Sequence, residues 1–263
     1  MSFKQEQKEL RKPDELQKLG QQALPWMETH GRLVVGIVVG VAALGLGGTL
    51  VNSYLARQEK AAAYEFASAL RVLEREVNAN PVEPKAGQEP AFKTEAEKDQ
   101  ALIDALTSFR KKNAGRAAAL NAALPLAQAL IRQGKTAEAM PLLDEYLKGA
   151  DPADPLRPAA LEARGYVLET EKKYDEALAA FDALARENKT DFMKGMGLYH
   201  RARMLLLKGD TAGGAKQLAE IEAAAPGSAA ARLAKERIAL LTAQGVAVPA
   251  PLPPAPAAID AGT

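Results

Sequence analysis

The most apolar stretch of the chain is residues 33–51, LVVGIVVGVAALGLGGTLV, which holds nineteen residues without a charge. At about 1.5 Å rise per residue, a helix of this length with a few flanking residues crosses the ~30 Å hydrocarbon core of a bilayer. The stretch has no polar face, since Thr49 is its one polar side chain. A buried core helix is the alternative, but nothing beside the stretch supplies a core of that size. The pattern predicts a transmembrane helix over residues 33–55.

The small residues of the predicted span recur on one helical face. They follow the spacing i, i+4, i+7, i+11 and are Gly36, Gly40, Ala43 and Gly47. Small side chains let two helix backbones approach closely in lipid, which makes this face a candidate for packing against another membrane helix. Glycine is also frequent in spans that make no such contact. Both interpretations stay open from the sequence.

Residues 1–32 form a polar tail of mixed charge in front of the span. Both this leader and the apolar run are longer than those of a cleavable signal peptide, and no small-residue cleavage site follows, so we expect an uncleaved signal anchor. Lys18 and Arg32 before the span balance Arg57 and Lys60 after it. The whole tail holds more Lys and Arg than the near distal flank, which favours a cytoplasmic N-terminus.

Residues 56–114 are predicted to be connecting helices interrupted by a proline-containing loop. Ala63, Phe66, Leu70, Leu73 and Val77 lie on one helical stripe, which indicates that the span helix continues to residue 77. The segment 78–93 contains three prolines and cannot be a continuous helix. A further helix is expected from residue 94 to the basic end at residues 111–112.

A repeated pattern of apolar positions fills residues 115–244. Three segments align on turns at Gly134, Lys172 and Gly209, which are 38 and 37 residues apart. A period in this range is typical of stacked helical hairpins. Residues 245–263, which include VPAPLPPAPAA, lack a packing pattern and are predicted to be a disordered Pro/Ala tail.

The details resemble the tetratricopeptide repeat (TPR), although each unit is a few residues longer than the usual ~34. In that motif a small residue on the first helix lets the second helix pack closely, and a large apolar residue follows on the second helix. The small residues are Ala127, Gly165 and Ala202, and the large ones are Leu143, Phe181 and Leu218. The fold class predicted is all-α, with one N-terminal transmembrane helix followed by a TPR-like α-helical hairpin solenoid.

The composition argues against a catalytic or cofactor-binding protein. There is no cysteine, and the two histidines, His30 and His200, lie on either side of the span. No phosphate-binding loop, nucleophile elbow or His-Glu-x-x-His motif is present. The net charge is +1, which indicates no general attraction to nucleic acid. We expect a non-enzymatic protein with no catalytic residue, metal, cofactor or small-molecule substrate.

If the repeats bind a protein, the first helix of each hairpin should line the concave groove. Tyrosine and arginine are favoured contact residues in interfaces. The partner-binding candidates by this alignment are Asn121, Gln128, Glu162, Tyr166, Tyr199 and Arg203. For any single one of them, an ordinary hydrated surface is an equally good interpretation.

The whole arrangement resembles a bacterial family, the TPR-like ancillary subunit of the Sec translocon. The resemblance rests on residues 26–32 (WMETHGR) entering the span, on residues 61–64 (AAAY) after it, and on the three repeats. It implies a single-pass protein of the bacterial inner membrane with a periplasmic repeat domain, and partners among translocon subunits or periplasmic chaperones. The long proline-containing loop and the Pro/Ala tail depart from the family.

The sequence therefore predicts a membrane-anchored TPR-like adaptor that mediates protein–protein interactions. The alternative is a structural tether or self-associating scaffold of another envelope complex. The identity of the partner and the oligomeric state do not follow from the sequence.

Overall fold

A computed structural model describes residues 30–80, 87, 89–187 and 190–249 of the chain. In this part the structure holds ten α-helices and a single 3-10 turn, Arg71–Glu74, and no β-strand beyond one isolated bridge. The expectation of an all-α fold is therefore confirmed. The helices are α1 Gly31–Leu70, α2 Glu95–Lys112, α3 Ala117–Asn121, α4 Ala123–Arg132, α5 Thr136–Gly149, α6 Arg157–Thr170, α7 Tyr174–Glu187, α8 Asp191–Leu207, α9 Thr211–Ala224 and α10 Ala229–Ala243.

The chain divides into two compact units, Met1–Lys60 and Ala61–Thr263. Most of the first unit that the structure describes is helix α1, which is long and apolar enough to cross a membrane. Its large apolar side chains are exposed, and Leu44 reaches 79% exposure. A core helix of a soluble domain would bury such side chains, so α1 is compatible with a single-pass anchor. The predicted tail before residue 30, with Trp26, lies outside the described residues.

In the second unit the end of α1 packs against the repeats. Ala62 is buried, and Phe66, Ala69 and Leu70 pack against the same apolar cluster. The predicted stripe was partly wrong, because Ala63 and Leu73 are exposed. The α-helix also stops at Leu70 instead of residue 77, since the 3-10 turn passes into extended backbone at Arg75.

The proline-containing loop is closed at its base by Arg75 and Phe92. Val77 and Phe92 form the isolated bridge, with hydrogen bonds between the amide and carbonyl groups of both segments. The Arg75 guanidinium lies 3.9 Å from the centroid of the Phe92 ring and donates to the carbonyl of Pro90. Cation–π contacts of this kind stabilise by about 0.5–1 kcal/mol at exposed sites. The ends of the loop are thereby held together.

Helix α2 begins where Thr94 accepts a hydrogen bond from the amide of Glu97, a regular N-cap. Its apolar face, which includes Leu102, Leu106 and Phe109, is buried against α4. The buried carboxylate of Asp99 accepts hydrogen bonds from the Arg132 guanidinium, 2.9 Å from Oδ1 to Nε. Helix α2 is thus the neighbour of the first hairpin.

The repeats form three antiparallel hairpins, α4–α5, α6–α7 and α8–α9, followed by α10. The first helix of each hairpin ends in the same way, at Gly134, Lys172 and Gly209, and α10 ends likewise at Gly245. Each of these residues has a positive φ, and its amide bonds to the carbonyl three residues earlier, while the next amide bonds five residues back. This is the Schellman motif. Helix α10 therefore ends as the first helices do, and it lies where a fourth hairpin would begin.

Close packing inside the second hairpin depends on Gly165. A Cβ atom at this position would overlap the ring carbons of Phe181, which is fully buried. Among the three hairpins, the largest of the large apolar residues, Phe181, thus packs against the smallest of the small residues, Gly165. The predicted pairing of small and large positions follows from this volume requirement.

The first residues of the segment predicted to be a disordered tail are packed. Val246 and Val248 pack against the cluster formed by α8, α9 and α10, so residues 245–249 are part of the packed structure. The proline content of the segment had indicated that it would not pack. The two valines, at alternate positions, nevertheless pack against the helices. Residues 250–263 lie outside the described part of the chain.

Candidate functional site

The first helices of the hairpins, α4, α6 and α8, lie side by side and form one face of the repeat array. Gln128 is half-buried on α4, Glu162 and Tyr166 lie on α6, and Tyr199 and Arg203 lie on α8. This surface corresponds to the concave groove expected from the sequence, and it is called the concave face below for that reason. Four of the six candidates come together there, on α6 and α8.

Asn121 does not share a helix with Gln128, although the alignment placed both on the first helix of the first hairpin. Asn121 is exposed at the end of the short helix α3, and Ala122 separates it from α4. Pro125 has no N–H to donate to the carbonyl of Asn121, so the helix is interrupted there. The assignment of Asn121 to the first helix was wrong for this reason.

His200 lies at the centre of the contacts between α6 and α8. It is 3% exposed, and its Nε2 atom lies 3.2 Å from the phenol oxygen of Tyr166 and 3.2 Å from Oε1 of Glu162. The carboxylate accepts a hydrogen bond, while the phenol both donates and accepts. The imidazole also lies against the ring of Phe181, 4.8 Å between centroids, and it therefore ties the polar face to the core of the second hairpin.

Tyr166 is the most exposed residue of the cluster around His200, at 37%. Two rings and one cation lie close to its own ring. Its ring meets the Phe181 ring edge-on, and the Arg203 guanidinium lies 5.4 Å from its centroid. Burial, followed by the charge of Glu162, raises the pKa of the Tyr166 phenol. The phenol therefore stays protonated and neutral across the physiological range.

The Arg203 side chain belongs to both the polar face and the interior of the repeat array. Its guanidinium forms an ion pair with Glu169 at the end of α6, while its Nε atom is buried without a hydrogen-bond partner. Sequence reasoning placed Arg203 in the groove but did not place Glu169 or His200 there. The two contacts pair Tyr166 with His200 and Glu169 with Arg203, and both pairs are 34 residues apart in sequence. A search for pairs at this common offset between α6 and α8 would therefore have identified both contacts.

A cavity of about 280 Å³ opens beside Arg203, between α6, α8, α9 and α10. Tyr199, Leu206 and Leu218 line it together with the charged residues Glu169, Arg203 and Arg237. Pockets for drug-sized ligands usually hold about 300–1,000 Å³. This cavity therefore suits one or two side chains better than a cofactor.

Burial limits the reactions that the cluster around His200 could carry out. His200 is enclosed, so its imidazole joins α6 to α8 and is closed to a substrate. Within the described residues no group of three or more His, Asp or Glu side chains is arranged to hold a metal ion.

The small face of α1 is open within the chain. A Cβ atom added at Gly36, Gly40 or Gly47 would meet no atom within 4 Å, and Ala43 is exposed. These four positions are therefore open to the approach of another helix, as far as the described part of the chain shows.

A family model described as tetratricopeptide repeat matches residues 103–155 and 124–192, which include the first two hairpins and most of α2. The helical array is TPR-like. No curated protein and no solved structure matches the chain. The third hairpin lies almost wholly outside the match, but its first helix ends in the same way as those of the first two, at a similar spacing. TPR folds are typically non-enzymatic scaffolds that bind proteins, and no catalytic family is indicated.

Proposed function

We propose that this protein is a membrane-anchored TPR-like adaptor that holds protein partners against the concave face of α4, α6 and α8. The observation that carries the proposal is the group formed by Tyr166, Tyr199 and Arg203 on two adjoining first helices. Tyrosine and arginine combine large contact area with directional hydrogen bonds, and they are enriched where binding energy concentrates. The anchor is α1, whose exposed apolar side chains suit a bilayer.

For location we propose the bacterial inner membrane, with a cytoplasmic N-terminus and a periplasmic repeat domain. The positive residues of the tail support this orientation, as does the resemblance to the ancillary subunit of the Sec translocon. The same resemblance supports translocon subunits or periplasmic chaperones as the partners. Protease accessibility in spheroplasts tests the orientation, because only a periplasmic repeat domain is cleaved before the cells are lysed.

The adaptor proposal is tested by affinity purification of the tagged full chain from detergent-solubilised membranes. Tyr199→Ala should lower the amount of captured protein at least tenfold, because a half-buried aromatic anchor is lost from the concave face. Tyr64→Ala is the matched control, since Tyr64 is an exposed tyrosine on α1. Deletion of residues 115–244 should remove the same proteins. Capture of the same proteins by all variants, or capture of none by the unchanged chain, contradicts the proposal.

A second function, a tether that associates through its membrane helix, is favoured by the open face at Gly36, Gly40 and Gly47. Replacing Gly36 and Gly40 with leucine blocks close helix approach in lipid. If the protein is a tether, this change dissociates its complex, and Tyr166→Ala with Arg203→Ala does not. If it is an adaptor, the two sets of variants have the opposite effects.

A further inference from the structure

Helix α10 has two apolar faces, and the described chain covers only one of them. Ile238 and Leu241 pack against the third hairpin. Leu233 and Leu240 lie on another side of the helix and are 37% and 55% exposed. The two valines of residues 245–249 do not cover these leucines, because they pack in the same cluster as Ile238. One apolar stripe of α10, formed by Leu233 and Leu240, is therefore left open in the described part of the chain.

Leu240 occupies a position that is buried in all three hairpins. It lies five residues before the turn at Gly245. The residues at the same distance before the other three turns are fully buried, and they are Ala129, Val167 and Met204. Val167 and Met204 pack against the hairpin in front of their own, whereas α10 meets the third hairpin with its other face. The open stripe of α10 thus matches a surface that the rest of the array covers with a neighbouring helix.

Two opposite charges flank the open stripe. At about 100° per residue, Leu233 and Leu240 lie within about 20° of one another around the helix, and Glu236 and Arg237 lie about 50° to either side of them. Both charged side chains are exposed, and neither makes an ion pair or a hydrogen bond with another residue that the structure describes. Arg237 also borders the cavity beside Arg203, but its side chain is not enclosed there. The stripe thus combines two leucines with one unpaired charge of each sign.

This pattern is complementary to itself. When two copies of α10 lie parallel about a two-fold axis, side chains seven residues apart meet their own counterparts, so Leu233 contacts Leu233 of the second copy and Leu240 contacts Leu240. The axis sets opposite flanks of the two helices side by side, so each Glu236 lies beside Arg237 of the second copy. In an antiparallel pair, each charge would instead face its own like. The charges therefore favour a second copy of the chain, in the parallel arrangement.

We propose that the open stripe of α10 is an interface between two copies of this chain, with an ion pair between Glu236 and Arg237 on each side of the leucines. Helix α10 has 15 residues and is about 22 Å long. One face of it is smaller than the ~800 Å² per partner of a standard interface. The dimer therefore depends on a high local concentration, which two copies anchored in one bilayer provide. The inference rests on the anchor proposed for α1 and not on the adaptor function.

The chain has no cysteine, so single-cysteine variants report contacts between copies without a background. The full chain is reconstituted in lipid vesicles, oxidised mildly and separated on a non-reducing gel. Leu233→Cys and Leu240→Cys should each give roughly tenfold more crosslinked dimer than Ala239→Cys, because a disulfide requires Cα atoms within about 7 Å. Ala239 is the matched control, since it is exposed on the same helix but lies away from the stripe. Equal crosslinking at positions 239 and 240 overturns the inference.

A charge exchange tests the ion pairs in the Leu240→Cys chain. Glu236→Arg places arginines side by side on both flanks, and it should lower the yield of crosslinked dimer roughly tenfold. Adding Arg237→Glu restores both pairs with their signs exchanged, and most of the yield should return. Both side chains are exposed, so neither change is expected to unfold the chain. No loss in the single variant, or no recovery in the double variant, contradicts the assignment.

Two further results separate this inference from the other proposals. If Gly36→Leu with Gly40→Leu abolishes the crosslink at position 240 and the charge exchange has no effect, the copies associate through α1 and the interface on α10 falls. If the chain does not float with the vesicles, the anchor falls and the inference falls with it. The adaptor proposal is decided separately, by the dependence of protein capture on Tyr199.

Discussion

The imidazole Nε2 of His200 lies 3.2 Å from the phenol oxygen of Tyr166, and this contact joins the first helices of the second and third hairpins. The two residues are 34 apart in sequence, whereas the turns at Lys172 and Gly209 are 37 apart. Neighbouring first helices therefore meet with an offset of about one helical turn. The same offset brings Arg203 to Glu169.

Tyr166→Phe tests the contribution of this contact to stability. The variant keeps the ring on Phe181 but removes a hydroxyl from a buried imidazole, so the free energy of unfolding should fall by about 1 kcal/mol. Urea titration of the detergent-solubilised chain, followed by circular dichroism, measures the change. Tyr64→Phe is the control and should have almost no effect, since Tyr64 is exposed. Equal effects of the two variants would show that the hydroxyl does not stabilise the fold.

Lys172→Gly should stabilise the protein. Lys172 is the one non-glycine residue with positive φ in the described chain, at 60°. Left-handed backbone costs an L-residue about 1–2 kcal/mol, which exceeds the extra chain entropy of glycine, about 0.5–1 kcal/mol. We expect a net gain of about 0.5 kcal/mol in the free energy of unfolding. Lys173→Gly removes the same charge at the next residue and should destabilise the chain instead. A loss of stability in Lys172→Gly would contradict the account of the turn.

Part of this architecture could be predicted from the sequence, because hairpin stacking depends on local features. The spacing of Gly134, Lys172 and Gly209 located the ends of the first helices, and the small residues at 127, 165 and 202 fall at the close-packed positions. The helix break at Pro125 was not predicted, although a proline at this position removes the helical hydrogen bond to the carbonyl of Asn121. The packing of Val246 and Val248 was missed because it depends on a neighbouring helix surface.

The site was only partly predictable, since its contacts join different helices. The alignment placed Glu162, Tyr166, Tyr199 and Arg203 on one face but gave no offset between α6 and α8. Without that offset, His200 appeared as an isolated histidine, and Arg237 on α10 had no connection to Arg203. The cavity is defined by four helices at once, which is information that a single repeat does not contain.

Gly165→Ala should destabilise the second hairpin strongly. The added methyl group would overlap the Phe181 ring, which has no room to move because it is fully buried. Overpacking of this kind typically costs about 1–3 kcal/mol. The double variant Gly165→Ala with Phe181→Leu recreates the Ala127 and Leu143 pair of the first hairpin, and it should recover part of the loss. If the double variant is less stable than the sum of both single changes, the two side chains do not compete for the same space.

Alkaline pH should reveal the burial of Tyr146. Burial, followed by its hydrogen bond to Asp154, raises the pKa of Tyr146 to about 12. The unfolded chain releases this proton near pH ~10. The neutral phenol therefore stabilises the fold fully below that pH, and the stabilisation is lost as pH rises from about 10 to about 12.

Tyr146→Phe should reduce the loss of stability above pH ~10, because the titrating group is gone. Tyrosinate absorbance and circular dichroism, recorded together during an alkaline titration, measure ionisation and unfolding. Ionisation of Tyr146 in the folded chain, before any loss of helix, would show that the phenol is not held in its neutral form.

The concave face can be tested most directly by photo-crosslinking in intact cells that express the full chain. A photoreactive residue is placed at position 199, on the first helix of the third hairpin, or at position 216, exposed on its second helix. The adaptor account predicts crosslinks to specific proteins from position 199 and few or none from position 216. Crosslinks to the same proteins from both positions, or from position 216 alone, would contradict it.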